Sequence, residues 1–229
     1  MIEDIIYRLG ERPMIKLYML TLEQNPGNEV SGCLMRLISP EKAKKIARIS
    51  SADKKKQRLY SELFARAVIG RHLEITNEEI SFEFSDMGKP FLAGYPDFHF
   101  NISHTGGAVL LGISDAPVGV DIERIRPVHA KIARRFFAPA EREYVGEGNG
   151  YSRRFFEIWT AKEAFLKKEG LGISVPLSSF DVTSKDIDGL FSRFEWEDYI
   201  ICCCAAEAAE FPCVISEREF MELYLEQLI

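Results

Sequence analysis

KKIARISSADKKKQRLYSELFARAVIGRHLEI, residues 44–75, is echoed later in the chain by KIARRFFAPAEREYV, residues 131–145, and FFEIWTAKEAFLKKEGLGI, residues 155–173. Both copies go on to a Ser-Phe pair, SFEF at 81–84 and SFDV at 179–182. The shared KIAR begins at 45 and 131 and the Ser-Phe pairs stand at 81 and 179, so the second copy is longer by 12 residues. The glycine-rich VGEGNGYS, residues 145–152, is the natural place for the extra length. Each copy then enters an apolar run, HFNISHTGGAVLLGIS at 99–114 and DYIICCCAA at 198–206. The repeat predicts an α+β fold of two similar halves, residues 1–116 and 117–229, related by a pseudo-two-fold axis and divided near Ser114–Pro117. Each half should hold an opening strand (Lys16–Leu22, Pro117–Glu123), one long helix (Asp53–His72, Ser152–Glu169) and further antiparallel strands. A site then belongs in the cleft between the halves, where pockets favour domain interfaces.

The opening strand of the second half carries the first chemical signal. In VGVDIERIRP, residues 118–127, Val118, Val120 and Ile122 point to one face and Gly119, Asp121 and Glu123 to the other. Two carboxylates two positions apart are about 6.6 Å apart along the strand and can converge on one cation. Without a cation or a base they repel, and oxygen-only ligands favour magnesium or manganese over zinc. The plainer reading is a solvated edge with ordinary acids. On the second long helix, Phe155, Ile158, Trp159, Phe165 and Leu166 form an apolar stripe with Glu163 at its edge, one turn before Lys167. A half-buried acid needs a partner, and a metal would serve.

Two further stretches read as anion contacts. Gly88-Lys89-Pro90 is a turn presenting a lysine. Asn101, Ser103 and His104 end a strand, and Thr105-Gly106-Gly107 make a turn with exposed N–H groups, which can cradle a phosphate. There is no GxxxxGK[ST], so the turn is not a P-loop. Between Glu41 and Arg58 stand eight lysines or arginines and two acids, a local +6 on a chain whose net charge is −6. A compact basic segment on an otherwise acidic protein suits a small polyanion held at one place rather than a nucleic acid. Lys42 and Lys45 share a helical face after the start signal Ser39-Pro40. His72, His99 and His129 have no local partner and read as structural or exposed.

The remaining composition is that of a globular cytoplasmic protein, 46% hydrophobic and 28% charged. No apolar run approaches the roughly 20 residues that span a bilayer, and residues 1–13 are not read as a secretory signal. Five cysteines, three of them adjacent at Cys202–Cys204, make neither a disulfide framework nor a CxxC pair, and are read as free thiols, the adjacent three packed in a core.

Taken in order, GKP at 88–90, FNISH at 100–104, VGVDIE at 118–123 and WTAKEAFLK at 159–167 resemble the motifs of the 4′-phosphopantetheinyl transferases of the Sfp type. The likeness extends from SPEK at 39–42 to GLGISVPLSSFDV at 170–182. It implies transfer of phosphopantetheine from coenzyme A to a serine hydroxyl of an apo acyl or peptidyl carrier protein, with release of adenosine 3′,5′-bisphosphate. It implies a magnesium site at Asp121, Glu123 and Glu163, with Glu163, Lys167 and His104 catalytic. Coenzyme A contacts would come from Lys42, Lys45, Arg58, Gly88, Lys89, Pro90, Ser103, His104, Thr105 and Lys167. Thr105 stands where many members have serine, and Gly107 where a larger side chain is frequent. The apolar-basic stretch Ala133–Glu141 is the expected carrier face, and a whole two-half unit is expected to be a monomer. The competing readings are a non-catalytic coenzyme A-binding module and a magnesium-dependent phosphohydrolase.

Overall fold

A computed structural model describes residues 15–23 and 32–224; the opening residues 1–13, read above as no signal segment, lie outside them. The elements run β1 (Lys16–Thr21), α1 (Pro40–Ala47), α2 (Ala52–Leu73), β2 (Phe82–Phe84), β3 (Pro90–Leu92), β4 (His99–Thr105) and β5 (Ala108–Ser114). They continue with β6 (Gly119–Arg124), α3 (Ala130–Phe136), α4 (Pro139–Val145), α5 (Tyr151–Glu169), β7 (Leu190–Trp196), β8 (Tyr199–Ala205), β9 (Cys213–Ser216) and α6 (Glu217–Leu223). The fold is α+β, as expected.

Local signals account for the helix limits. Ser39 and Ser51 cap α1 and α2 by accepting the N–H groups of Lys42 and Lys54. At the other end of α5, Gly170 takes a left-handed conformation, φ 68°, which a glycine adopts without strain. KIAR falls in α1 and again in α3, each a short helix ahead of the long one.

The two halves share a connectivity. In the first, β1 pairs with β5, which pairs with β4; in the second, β6 pairs with β8, which pairs with β7. In both, the opening strand lies beside the last strand of a later hairpin, with the long helix between them in sequence. The second copy adds α4 before its long helix, and the first adds the β2–β3 hairpin after its own. Across the expected break at 116/117, β9 lies parallel to β1 on the first sheet, and Phe220 of α6 is buried in the first core.

Strand alternation sorts the apolar residues into three layers. Leu20, Val109, Leu111 and Ile113 face α2, while Leu17, Met19, Ala108 and Leu110 meet Val118, Val120, Ile122 and Ile201 between the two sheets. Ile200, Cys202 and Cys204 face α5, and Cys203 faces the middle layer, so the cysteine run is core. Burial pushes the Cys203 and Cys204 thiols up to about 12. Among the described residues no helix is long and apolar enough to cross a membrane.

Candidate active site

The site lies where the edge strands of the two sheets, β4 and β6, run side by side. Val120 N–H donates to Asn101 Oδ1 at 2.9 Å, so an asparagine side chain satisfies a backbone group at the β6 edge. Asp121 and Glu123 face away from the middle layer, as the alternation predicted, and α5 packs over them. Gly119 allows that approach: a methyl there would fall inside contact distance of Ala164 O and Lys168 N on the α5 backbone.

This close crossing places one turn of α5 over the strand. Lys167 Nζ donates to Asp121 Oδ1 at 2.6 Å, to Ser103 Oγ at 2.9 Å and to Val120 O at 3.1 Å. Ser103 Oγ donates to the same Asp121 oxygen at 2.6 Å. Two residues on, Thr105 Oγ1 donates to Glu123 Oε2 at 3.3 Å, and Arg126 pairs with the same oxygen at 2.8 Å. Asp121 is buried, and its Oδ2 has no hydrogen-bond partner. Burial raises the Glu163 pKa, and the nearby Asp121 carboxylate adds to the rise while Lys167 opposes it. Burial lowers that of His104, with Arg58 adding to the fall.

A cavity of about 470 Å³ is lined by Lys42, Arg58, Ser103, His104, Asp121, Glu123, Glu163 and Lys167. A neighbouring one of about 630 Å³ takes in Gly88, Lys89 and Pro90, and Pro90, Ile102, Glu163 and Lys167 line both. Lys45 lines neither; it lies with Lys42 and Arg58 on a third cavity of about 440 Å³ and pairs with Glu41 at 2.6 Å. Thr105 lines none of the three and reaches the site through its bond to Glu123. Lys42 pairs with Glu62 at 3.2 Å.

Three placements differ from the sequence reading. Lys89 does not extend from its turn as a free cation: its Nζ donates to Lys168 O at 2.8 Å, tying the turn to the C-terminal end of α5. Ser103 is buried and turned to Asp121 and Lys167, not outward to a phosphate. The carboxylates do not form a ready cation cluster, because no three His, Cys, Asp or Glu among the described residues stand close enough to hold a metal ion. Lys167 and Arg126 hold Asp121 and Glu123 in its stead. The donor set nevertheless fits a hard divalent cation, with three carboxylates on one cavity and one buried carboxylate oxygen unpartnered.

The reading placed Asn101 at the end of its strand beside Ser103 and His104 but not its bond to the β6 backbone. It also missed Glu62 and Phe84, which line the cavity from α2 and the β2–β3 hairpin and carry no local signal.

Residues 117–215 match the model of the 4′-phosphopantetheinyl transferase superfamily, and residues 24–115 match that of the 4′-phosphopantetheinyl transferase N-terminal region. The chain belongs to this superfamily and is a transferase of the Sfp type. It is 34% identical over 170 residues to 4′-phosphopantetheinyl transferase Sfp of Bacillus subtilis, covering 73% of this chain and 76% of that one. It is 31% identical over 226 residues to 4′-phosphopantetheinyl transferase gsp of Aneurinibacillus migulanus, covering 92% and 94%. A mouse relative, L-aminoadipate-semialdehyde dehydrogenase-phosphopantetheinyl transferase, is 31% identical over 172 residues, covering 67% of this chain and 56% of its own. The two matched regions meet at the boundary between β5 and β6.

Proposed function

We propose that the chain transfers 4′-phosphopantetheine from coenzyme A to a serine hydroxyl of an apo acyl or peptidyl carrier protein, releasing adenosine 3′,5′-bisphosphate. The observation that carries this reading is the one cavity in which Lys42, Arg58, His104 and Lys167 stand with Asp121, Glu123 and Glu163. Cations suit a ligand with several phosphates, and carboxylates beside them suit a metal-assisted reaction at one of those phosphates.

In the reaction, the serine oxygen bonds to the phosphorus that carries the pantetheine arm, and the bridging oxygen of the pyrophosphate leaves with the nucleotide. Phosphoryl transfer needs positioning and charge neutralisation more than covalent help. Lys42, Lys45 and Arg58 hold the nucleotide phosphates, and the backbone of Gly88–Pro90 lines its adenine. Lys167 and His104 stabilise the charge that gathers on the leaving phosphate. Glu163, whose raised pKa favours proton uptake, accepts the serine proton. Asp121, Glu123 and Glu163 would hold magnesium, which supplies further neutralisation of pyrophosphate charge when bound. The reading needs one chain, so it is a monomer's, in a reducing cytoplasm, with neither nucleic acid nor membrane involved. Arg134 and Arg135, exposed on α3, suit an acidic carrier helix.

The test is the intact mass of an apo carrier protein after incubation with the enzyme, coenzyme A and magnesium, with and without EDTA. A gain of one phosphopantetheine that EDTA abolishes is the expected result. Unchanged mass across acyl and peptidyl carriers, with coenzyme A still bound, overturns it in favour of a binding module. Coenzyme A cleaved with no carrier present favours a hydrolase.

A further inference from the structure

Three polar side chains stand at alternate positions of β4, Asn101, Ser103 and Thr105, and each is bonded to β6. Alternation turns Phe100 and Ile102 to the first core and these three to the second half. Asn101 takes up the Val120 N–H, whereas the other two meet carboxylates. Ser103 Oγ lies 2.6 Å from Asp121 Oδ1, and Thr105 Oγ1 lies 3.3 Å from Glu123 Oε2. Two hydroxyls two residues apart on one edge strand thus face two carboxylates two residues apart on the other. The chemistry proposed above uses neither hydroxyl.

A hydroxyl has one proton, and against an ionised carboxylate it must be the donor. Ser103 spends its proton on Asp121 and accepts from Lys167 at 2.9 Å, so it has no proton left for a phosphate. The proton of Thr105 goes to Glu123 in the same way. Ser103 and Lys167 both meet Asp121 at Oδ1, while Oδ2 is buried without a partner. Thr105 and Arg126 likewise share one oxygen of Glu123, Oε2. These donors are of two kinds. Lys167 and Arg126 bring positive charge, which opposes a second cation nearby. The hydroxyls are neutral, so they can keep their bonds and hold the carboxylates when a cation is present.

We infer that Ser103 and Thr105 are positioning residues for the cation site: each holds one oxygen of a β6 carboxylate so that the other can serve the metal. The inference rests on the proposed function, which gives Asp121, Glu123 and Glu163 to magnesium. It moves both hydroxyls out of the set of coenzyme A contacts that the resemblance implies. Ser103, with the shorter and buried bond, contributes more than Thr105.

The test uses the full-length chain and four variants, Ser103→Ala, Thr105→Val, Thr105→Ser and the double Ser103→Ala/Thr105→Val. Manganese binding to the enzyme without coenzyme A is titrated by electron paramagnetic resonance, and coenzyme A binding is measured by calorimetry in EDTA. Ser103→Ala should weaken manganese binding by about tenfold and the double variant by up to about a hundredfold, the range for losing a bond to a metal ligand. Thr105→Val should weaken it by about threefold, and Thr105→Ser, which keeps the hydroxyl, should match wild type. Lys167 keeps its bonds to Asp121 and Val120 when Ser103 is alanine, so coenzyme A affinity in EDTA should stay within about twofold. Folded variants with wild-type manganese affinity overturn the assignment. A loss of coenzyme A affinity in EDTA as large as the loss for manganese also overturns it and returns the hydroxyls to the phosphates. If Ser103→Ala does not fold, the two Thr105 variants decide alone. A wild type that binds no manganese overturns the assignment, whereas one that binds it but modifies no carrier overturns only the transferase reading.

Discussion

Lys167 Nζ rests 2.6 Å from Asp121 Oδ1, and through this contact the long helix of one half is held against the strand edge where the two sheets meet. The ammonium occupies the place against Asp121 that a cation would take. Lys167→Met leaves a buried carboxylate with Ser103 alone and no cation beside it, which costs about 1–3 kcal/mol. At this chain length each kcal/mol moves Tm by about 2–4 °C. The variant should melt several degrees low, transfer no phosphopantetheine, and recover part of the lost Tm when millimolar magnesium is added. A melting temperature equal to wild type in EDTA would show that the pair contributes nothing.

Glu163 behaves in the opposite sense. Its carboxyl is held above the usual range by burial and then by Asp121. A raised carboxyl pKa makes the folded state bind more protons than the unfolded one. The group thus contributes stability below the unfolded value near 4.5 that is lost as pH rises through the folded value. Once the pH stands above the folded value, ionised Glu163 is a net cost, so there Glu163→Gln should melt at or above wild type in metal-free buffer while losing turnover. Full turnover by this variant at saturating magnesium would sink its assignment as the base.

Gly119 predicts a loss of both properties together. A β-carbon at this position meets the backbone of α5 at Ala164 and Lys168, which cannot turn aside as a side chain can. Gly119→Ala should cost about 1–3 kcal/mol or more from overpacking and shift Glu163 and Lys167 off β6. The urea midpoint and carrier modification should both fall in the same variant. Gly112→Ala, whose methyl meets the Val120 side chain across the middle layer, should cost stability with less effect on turnover.

The alternation in VGVDIE and the 3.6 period of α5 were enough to put Asp121 and Glu123 on one strand face and Glu163 and Lys167 on one helix face, because both patterns are local, whereas that the two faces meet was implied by the resemblance. The KIAR echo likewise marked equivalent short helices. The bonds of Lys89 and Ser103 were not legible because their partners, Lys168 O and Asp121, are 79 and 18 residues away, and only packing shows that a polar group is already satisfied. The return of β9 to the first sheet is a pairing of residues 195 positions apart, and such pairings leave no periodic mark.

The last prediction concerns His104. Burial lowers its pKa below the usual 6.5, and the positive charges of Arg58 and Lys167 push the same way against the smaller pull of Asp121. In the free enzyme the ring is neutral at pH 7, so the unfolded chain binds the extra proton in the window below 6.5 and stability falls as pH drops through it. His72 and His99 are lowered by burial as well, so His104→Gln should remove part of the slope of Tm between pH 7 and 5.5 and leave the rest. Under the proposed function coenzyme A should reverse the balance at one of these three rings, since a phosphate beside His104 would favour the imidazolium. Calorimetry at pH 7 in two buffers of different ionisation enthalpy should then show proton uptake on binding. His104→Gln should abolish most of that uptake and weaken binding by about tenfold, the loss expected for one charge-assisted hydrogen bond. Proton uptake equal in the two proteins would place the titrating group on the nucleotide and take His104 away from the phosphates.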